Sequence, residues 1–385
     1  MFSEQQVHSF SQRNTPFYFY NLELLSQTLE QIKLHGVSNG YHIHYALKAN
    51  SHPKILSFIL NSGLSADCVS GGEVQRALDC GFSPDQIAFA GVGKRDQEIE
   101  LGLKNDIFCF NVESVQELKV INELAIKFNR VANIALRLNP NVDAKTHKYI
   151  TTGLSENKFG INEEDLPQIF ELLPKLSGIK LIGIHFHIGS QIEDIEPFTR
   201  LCSRANELNH RFETEGFKLD IINVGGGFGI NYTDPDGGGI PDFEHFFGTF
   251  KKHIKLKEHQ HLHFELGRSV IGQSGSLITR ALFTKTGRQK NFVIVDAGMT
   301  ELIRPALYQA KHEIQLISEN KDRKKSYYDV VGPICESSDT FRTNLELPEI
   351  TRGDLLAIRS CGAYGEVMKS QYNLRHDIGT VFSDD

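Results

Sequence analysis

Nowhere in the 385 residues does an apolar run approach the roughly 18 residues that a bilayer span requires. The opening stretch, MFSEQQVHSFSQRN, lacks the basic-then-apolar order of a secretion signal. The chain is therefore expected in the cytoplasm, with no membrane partner. A basic excess is missing as well: the formal net charge is −7 and Lys and Arg are scattered. No general face for nucleic acid results, and small-molecule chemistry becomes the expectation. Cysteine is sparse (Cys68, Cys80, Cys109, Cys202, Cys335 and Cys361) and no two form a CxxC pair. That excludes a disulfide framework and predicts reduced thiols, most of them core residues. Close internal repeats and low-complexity tracts are absent too. What remains, 40% hydrophobic and 23% charged, suits a chain that buries one large core and a smaller one.

From about residue 23 one theme recurs, a short β-branched or aromatic run followed by a stretch with helical spacing. The runs are Tyr41 to Ala46, Leu64 to Val69, Ile87 to Gly91, Ile107 to Val112, Ile134 to Asn139, Leu181 to His187, Ile221 to Val224 and His261 to Leu266. Between them, segments such as HPKILSFILNSG, GGEVQRALDCG and ESVQELKVINELAIKF repeat apolar residues at three and four positions and often stop at Gly. Eight such units over about 250 residues is the size of a closed parallel barrel. A doubly wound sheet gives a similar alternation, so periodicity leaves both open. After about residue 272 the rhythm changes to short alternating runs with turns between, SLITRALFT, FVIVDAG, SYYDVVG and DLLAIRSCGAYG. The expected architecture is α/β: a (β/α)8 TIM-type barrel over 23–272, with 1–22 and 273–385 forming a mainly antiparallel β domain.

In such a barrel the chemistry gathers where strands end, so the residues closing each run come first. The first run closes in YALKAN, which sets Lys48 just past an apolar strand; a lysine losing water there becomes an amine able to form an imine with an aldehyde. By itself Lys48 reads more readily as a surface lysine in a loop. The sixth closes in HFHIGSQ, where strand alternation puts His185 and His187 on one face, ahead of Gly189 and Ser190. A flat imidazole there can stack on an aromatic cofactor. It also reads as a core histidine or as half of a metal pair, since HxH recurs at His42/His44 and His261/His263. The other strand ends lack further ligands, so no metal is expected. After the seventh run comes GGGFG (Gly225 to Gly229), a backbone able to turn several N–H groups on a phosphate. The eighth closes in ELGR, and a carboxylate such as Glu265 against a pyridine nitrogen keeps that nitrogen protonated. Together these ends supply an imine lysine, a stacking ring, a phosphate cradle and a pyridinium partner, the parts of one pyridoxal phosphate site.

With these residues in view, the chain resembles the alanine-racemase-fold group IV decarboxylases, and within them those acting on diaminopimelate, along nearly its whole length. The resemblance rests on YALKAN, HKYITTGLSENKFGI (His147 to Ile161), HFHIGSQ, VGGGFG, DAGMTELIRPALY (Asp296 to Tyr308), GPICESSD (Gly332 to Asp339) and GAYG (Gly362 to Gly365). It implies that Lys48 carries pyridoxal 5′-phosphate covalently, that His187 stacks on it and that Glu265 faces its ring nitrogen. Ser190, Gly226, Gly227, Gly267 and Tyr364 would help hold the cofactor, with Arg268 at the border of cofactor and substrate. Arg268, Arg304, Tyr308 and Tyr364 would bind substrate, Glu336 would take its distal ammonium, and Cys335 would return a proton after carbon dioxide leaves. Cys335 and Glu336 are implied to reach a neighbouring subunit's site, which makes a homodimer with shared sites.

The implied reaction is decarboxylation of meso-2,6-diaminopimelate to L-lysine, the last step of lysine biosynthesis; the alternative is an ornithine, lysine or arginine decarboxylase on the same fold. Diaminopimelate has both an amine and a carboxylate at its far end, so its site needs an anion and a cation there. Glu336 and Arg304 supply them. A diamine-forming enzyme needs the acid alone, and a buried unpaired arginine is costly. Glu265 argues against a racemase, and keeping Lys48, Glu265 and Cys335 together argues against a catalytically dead binding protein. Two departures stand out. ELGR carries Leu266 where the family generally has proline, and SQYNLR (Ser370 to Arg375) differs from the usual run, leaving the role of Asn373 open.

Overall fold

The computed structural model describes residues 2–143, 158–237, 239–317 and 323–385. These form two compact units, one of 28–229 with 242–267 and one of 2–27 with 230–241 and 268–385. β1 (Phe17–Tyr20) belongs to the second unit. In the first, β2 (His42–Ala46), β3 (Ser65–Cys68), β4 (Ile87–Phe89), β5 (Cys109–Val112), β6 (Ala132–Arg137), β7 (Ile179–His185), β8 (Ile221–Asn223) and β9 (His261–Leu266) close a parallel barrel in chain order. Pairing of β2 with β9 shuts the ring, His42 beside His263 and His44 beside Glu265, which rules out an open doubly wound sheet. All eight expected runs are strands, but most are shorter or shifted. The sixth ends at His185, so the alternation invoked for His185 and His187 does not extend to His187.

The helices follow from local signals. Over Pro53–Asn61 proline opens the first turn, Ile55, Leu56 and Ile59 are buried, and Gly63 at φ +78° leaves the helix. Over Gly71–Asp79 the Ser70 hydroxyl accepts from the Glu73 N–H at 3.2 Å, and Ser114 does the same for Glu117 at 3.1 Å ahead of Val115–Lys127. Each such cap contributes about 1 kcal/mol. Leu118, Ile121 and Ala125 are buried along the last helix, at roughly 1.5–3 kcal/mol for each large side chain. Those packing terms outweigh the caps and fix which face meets the barrel.

The two extra HxH pairs sit side by side on β2 and β9. His42 stacks on His263 with centroids 4.5 Å apart, His44 Nε2 lies 2.9 Å from His263 Nδ1, and Phe108 stacks on His263 at 5.5 Å. Their geometry is that of packed, hydrogen-bonded rings. Among the described residues no group of three or more His, Cys, Asp or Glu is arranged to hold a metal ion, and no helix is long and apolar enough to cross a membrane.

In the second unit β10 (Gly275–Thr286), β11 (Asn291–Val295), β12 (Ile314–Leu316), β13 (Lys325–Val331), β14 (Thr340–Pro348), β15 (Leu355–Ile358) and β16 (Thr380–Phe382) join β1 in one sheet. Its pairings are antiparallel except β1 with β16 and β11 with β13. FYFY is buried on both faces, which explains why all its side chains are aromatic. Phe17 and Phe19 pack with Phe10, Ile278, Ala357 and Val381, while the Tyr18 hydroxyl donates to the Glu301 carbonyl at 2.6 Å and that of Tyr20 to Glu366 at 2.8 Å. Most of the HKYITTGLSENKFGI motif, 147–157, lies outside the described residues; its end is anchored by the Ile161 N–H donating to the Arg137 carbonyl at 2.8 Å.

Candidate active site

Glu265 is the hub of the barrel unit. Buried near the end of β9, it accepts from Asn111 Nδ2 at 3.1 Å and Asn223 Nδ2 at 2.9 Å on Oε1, and from His185 Nε2 at 3.0 Å on Oε2. The donors come from β5, β8 and β7, so barrel closure alone brings them together. Burial by itself would raise this carboxyl's pKa, but His185 and then Lys48 outweigh it and hold Glu265 ionised, well below the usual range. His185 thus donates through Nε2 and orients the glutamate, a role the sequence did not suggest for it.

Lys48 lies in the turn Leu47–Ala49 that follows β2, its side chain 36% exposed, with Nζ 3.5 Å from Asp67 Oδ2. Asp67, on β3, is fully buried. Burial first, then the Glu265 charge, pushes its carboxyl well above the ordinary value, with Lys48 opposing. Asp67 went unread in the sequence because one acid in a buried strand carries no spacing signal. His187 follows the end of β7; its Nδ1 accepts from the Gly226 N–H at 3.3 Å. Burial, then the charges of Lys48 and Arg137, holds its pKa well below 6.5, so the imidazole stays neutral.

The glycines after β8 have no room for side chains. A Cβ on Gly226 would lie 1.8 Å from the Glu265 carbonyl oxygen, and one on Gly227 2.6 Å from that of Gly189. Gly227 also stands at φ +103°, in the left-handed region. The Ile192 N–H donates to the Gly227 carbonyl at 2.9 Å, which runs the segment carrying Ser190 alongside the glycines. Gly267 is similarly tight, its Cβ position 3.0 Å from Ala49 and 3.1 Å from Ala46. Leu266, where the family generally has proline, is buried and pairs with Tyr45.

The second unit gathers the cationic residues. Arg268 Nη1 donates to the Tyr232 hydroxyl at 2.6 Å, and its guanidinium lies 4.8 Å from the Tyr364 ring centre. Arg304 opens the helix Arg304–Tyr308, is 5% exposed, and sits 4.6 Å from the ring centre of the same Tyr232. Tyr308 is one turn further along that helix. Cys335 and Glu336 are exposed and form another group: the Cys335 N–H donates to Asn373 Oδ1 at 3.1 Å and the Tyr372 hydroxyl to Glu336 at 2.9 Å. Asn373 therefore ties down the backbone of Cys335. Asp339, at the end of GPICESSD, accepts from the N–H groups of Met299 and Ile334 at 2.6 and 2.7 Å, tying that loop to DAGM.

The sequence pattern of a family described as "Pyridoxal-dependent decarboxylase, pyridoxal binding domain" matches residues 26–272. The chain belongs to the pyridoxal-dependent decarboxylases. It is 52% identical over 370 residues to the diaminopimelate decarboxylase of Bacteroides thetaiotaomicron, covering 96% of this chain and 95% of that one. The crystal structure of diaminopimelate decarboxylase from Helicobacter pylori complexed with L-lysine superposes with a TM-score of 0.91 at 40% identity, covering 98% of this chain and 94% of that one. An arginine decarboxylase of Paramecium bursaria Chlorella virus shares the fold, with a TM-score of 0.87 at 21% identity over 98% of each chain.

Pyridoxal phosphate is the cofactor of this decarboxylase, and the residues present fit it. A carboxylate offers about four acceptor positions. Three on Glu265 are filled by Asn111, Asn223 and His185, and a protonated ring nitrogen can take another. Within the glycine run the Gly225 and Gly226 N–H groups already donate to Asn223 Oδ1 and His187 Nδ1, so a phosphate would draw on the main chain at Gly227 and Phe228. The Lys48 amine keeps an open path because its side chain is only part-buried.

Proposed function

We propose that this decarboxylase converts meso-2,6-diaminopimelate to L-lysine and carbon dioxide. The observation that carries the substrate is Arg304, a buried cation with no carboxylate paired to it among the described residues and with Nε lacking a hydrogen-bond partner. An arginine so placed costs stability unless a ligand supplies the anion. Diaminopimelate keeps a carboxylate at the end that does not react; ornithine and arginine, once their α-carboxylate is committed to reaction, have none.

When bound, pyridoxal phosphate supplies an aldehyde for an amine and a protonated pyridine that accepts the electron pair left by departing carbon dioxide. Lys48 provides the amine. Glu265 holds a proton at the pyridine nitrogen, and its own charge is held by His185, Asn111 and Asn223. Neutral His187 offers a flat face for stacking, and Ser190, Gly226, Gly227, Gly267, Arg268 and Tyr364 bind the rest of the cofactor. Arg268, Arg304, Tyr308 and Tyr364 bind the substrate, Arg304 at the distal carboxylate and Glu336 at the distal ammonium. Cys335 returns the proton to the α-carbon. Exposed Cys335 and Glu336, tied by hydrogen bonds to a segment in which Tyr372 is 49% and Leu374 90% exposed, support a homodimer in which they serve a second copy.

Carbon dioxide release from meso-diaminopimelate, assayed beside lysine, ornithine and arginine, tests the substrate; equal turnover of ornithine would overturn it. Mixing inactive Lys48→Ala and Cys335→Ala chains tests the shared site. Hybrid dimers should regain part of the activity, and no recovery after proven subunit exchange would mean self-contained sites.

A further inference from the structure

Arg304 has a neighbour that the reading above does not use. His312 is 1% exposed, and its Nε2 lies 2.9 Å from Arg304 Nη1. Its other nitrogen, Nδ1, lies 2.8 Å from the Arg359 carbonyl oxygen. A carbonyl can only accept, so Nδ1 carries the proton; a guanidinium can only donate, so Nε2 is the bare acceptor. The two contacts fix one neutral tautomer. Burial, then the Arg304 charge, lowers the His312 pKa to about 3, so the ring stays neutral at any working pH. The Tyr232 ring packs edge-on to His312 at 5.0 Å and lies under Arg304, completing the clamp.

A carboxylate in place of His312 would orient Arg304 equally well, but it would cancel the charge and compete with an anionic ligand. A neutral imidazole holds the guanidinium in one rotamer and leaves its charge, and its unpartnered Nε, for that ligand. We propose that His312 is a positioning residue that presents Arg304, uncompensated and pre-oriented, to the carboxylate of the substrate's non-reacting end, and so sets specificity for substrates bearing one. This rests on the reading of Arg304 as the distal carboxylate site.

The product provides a readout that needs no chemistry. L-Lysine keeps the distal carboxylate, whereas the diamine cadaverine has the same chain without it. In the cofactor-loaded enzyme, inhibition constants of both would be measured against carbon dioxide release from meso-diaminopimelate. His312→Phe keeps the bulk of the ring and removes the acceptor. It should weaken lysine by about ten- to a hundred-fold, the usual consequence of stranding a buried donor, and leave cadaverine unchanged. His312→Gln, which retains an acceptor for Nη1, should stay near wild type. Weakening of both ligands alike, or of neither, would overturn the inference while sparing the substrate reading. If wild-type enzyme itself does not prefer lysine to cadaverine, the carboxylate role of Arg304 fails, and the inference with it. Should His312→Phe not fold, His312→Asp keeps an acceptor but adds an anion; it should abolish the preference for lysine, and full retention would overturn the proposal.

Discussion

Glu265 and Arg304 are both buried charges, one in each compact unit, and they are treated in opposite ways. Glu265 is met on both oxygens by side-chain donors from three strands, so its ionised state is fixed before any ligand arrives. Arg304 is held by an imidazole and an aromatic face, and no carboxylate neutralises it among the described residues. The first pattern suits a permanent partner for a resident group. The second suits a charge kept for a ligand that comes and goes, because a built-in counter-ion would have to be displaced at each turnover. Satisfying a charge with neutral groups orients it without spending it.

The comparison can be broken from the barrel side first. Lys48→Ala removes the amine that captures the cofactor and should lower kcat by at least about 10³-fold. The denatured chain should also lose its borohydride-stable adduct in mass spectrometry; an adduct persisting on another residue would refute the assignment of Lys48.

Glu265→Gln keeps the shape and removes the charge. Loss of about 10² to 10³-fold in kcat is expected if the charge matters, and near-normal turnover would reduce Glu265 to packing. The same substitution carries a pH signature in the cofactor-free protein. The folded-state pKa of Glu265 lies below its ordinary value near 4.5, so its stabilising contribution is fully present above that value and is lost as pH falls toward the folded pKa. Wild type should therefore lose Tm below about pH 4.5 more steeply than Glu265→Gln. Equal slopes would mean that the carboxyl is not held down.

Arg304→Lys sharpens the other side with a smaller effect. The positive charge survives but the fork does not, so kcat/KM for diaminopimelate should fall about ten- to a hundred-fold, mostly in KM. A change confined to kcat would move Arg304 from substrate binding to the chemical step.

Much of the fold was legible. Short β-branched or aromatic runs alternating with segments of helical spacing announced the barrel units, and loss of helical spacing after about residue 272 announced the sheet. Lys48, the glycine run after β8 and Glu265 stood out because they follow or end strands, where barrel chemistry gathers. Asn111 and Asn223 did not, and His185 was noticed only as a neighbour of His187, because single polar residues in buried strands read as isolated exceptions until closure points them at one carboxylate. Tyr232 and His312 were silent as well, because they stand 80 residues apart in the chain and meet edge-on beside Arg304 only once it has folded.

By itself the sequence determined which elements form, where strands give way to reactive ends, and which residue types stand there, since propensity, periodicity and glycine placement act over a few residues. Only the tertiary structure decided which charge is satisfied and which is left waiting. Hydrogen bonds to Glu265 come from residues remote in the chain, that of Arg304 from His312 eight positions on, and directional contacts at about 3 Å exist only once strands and loops have been brought together.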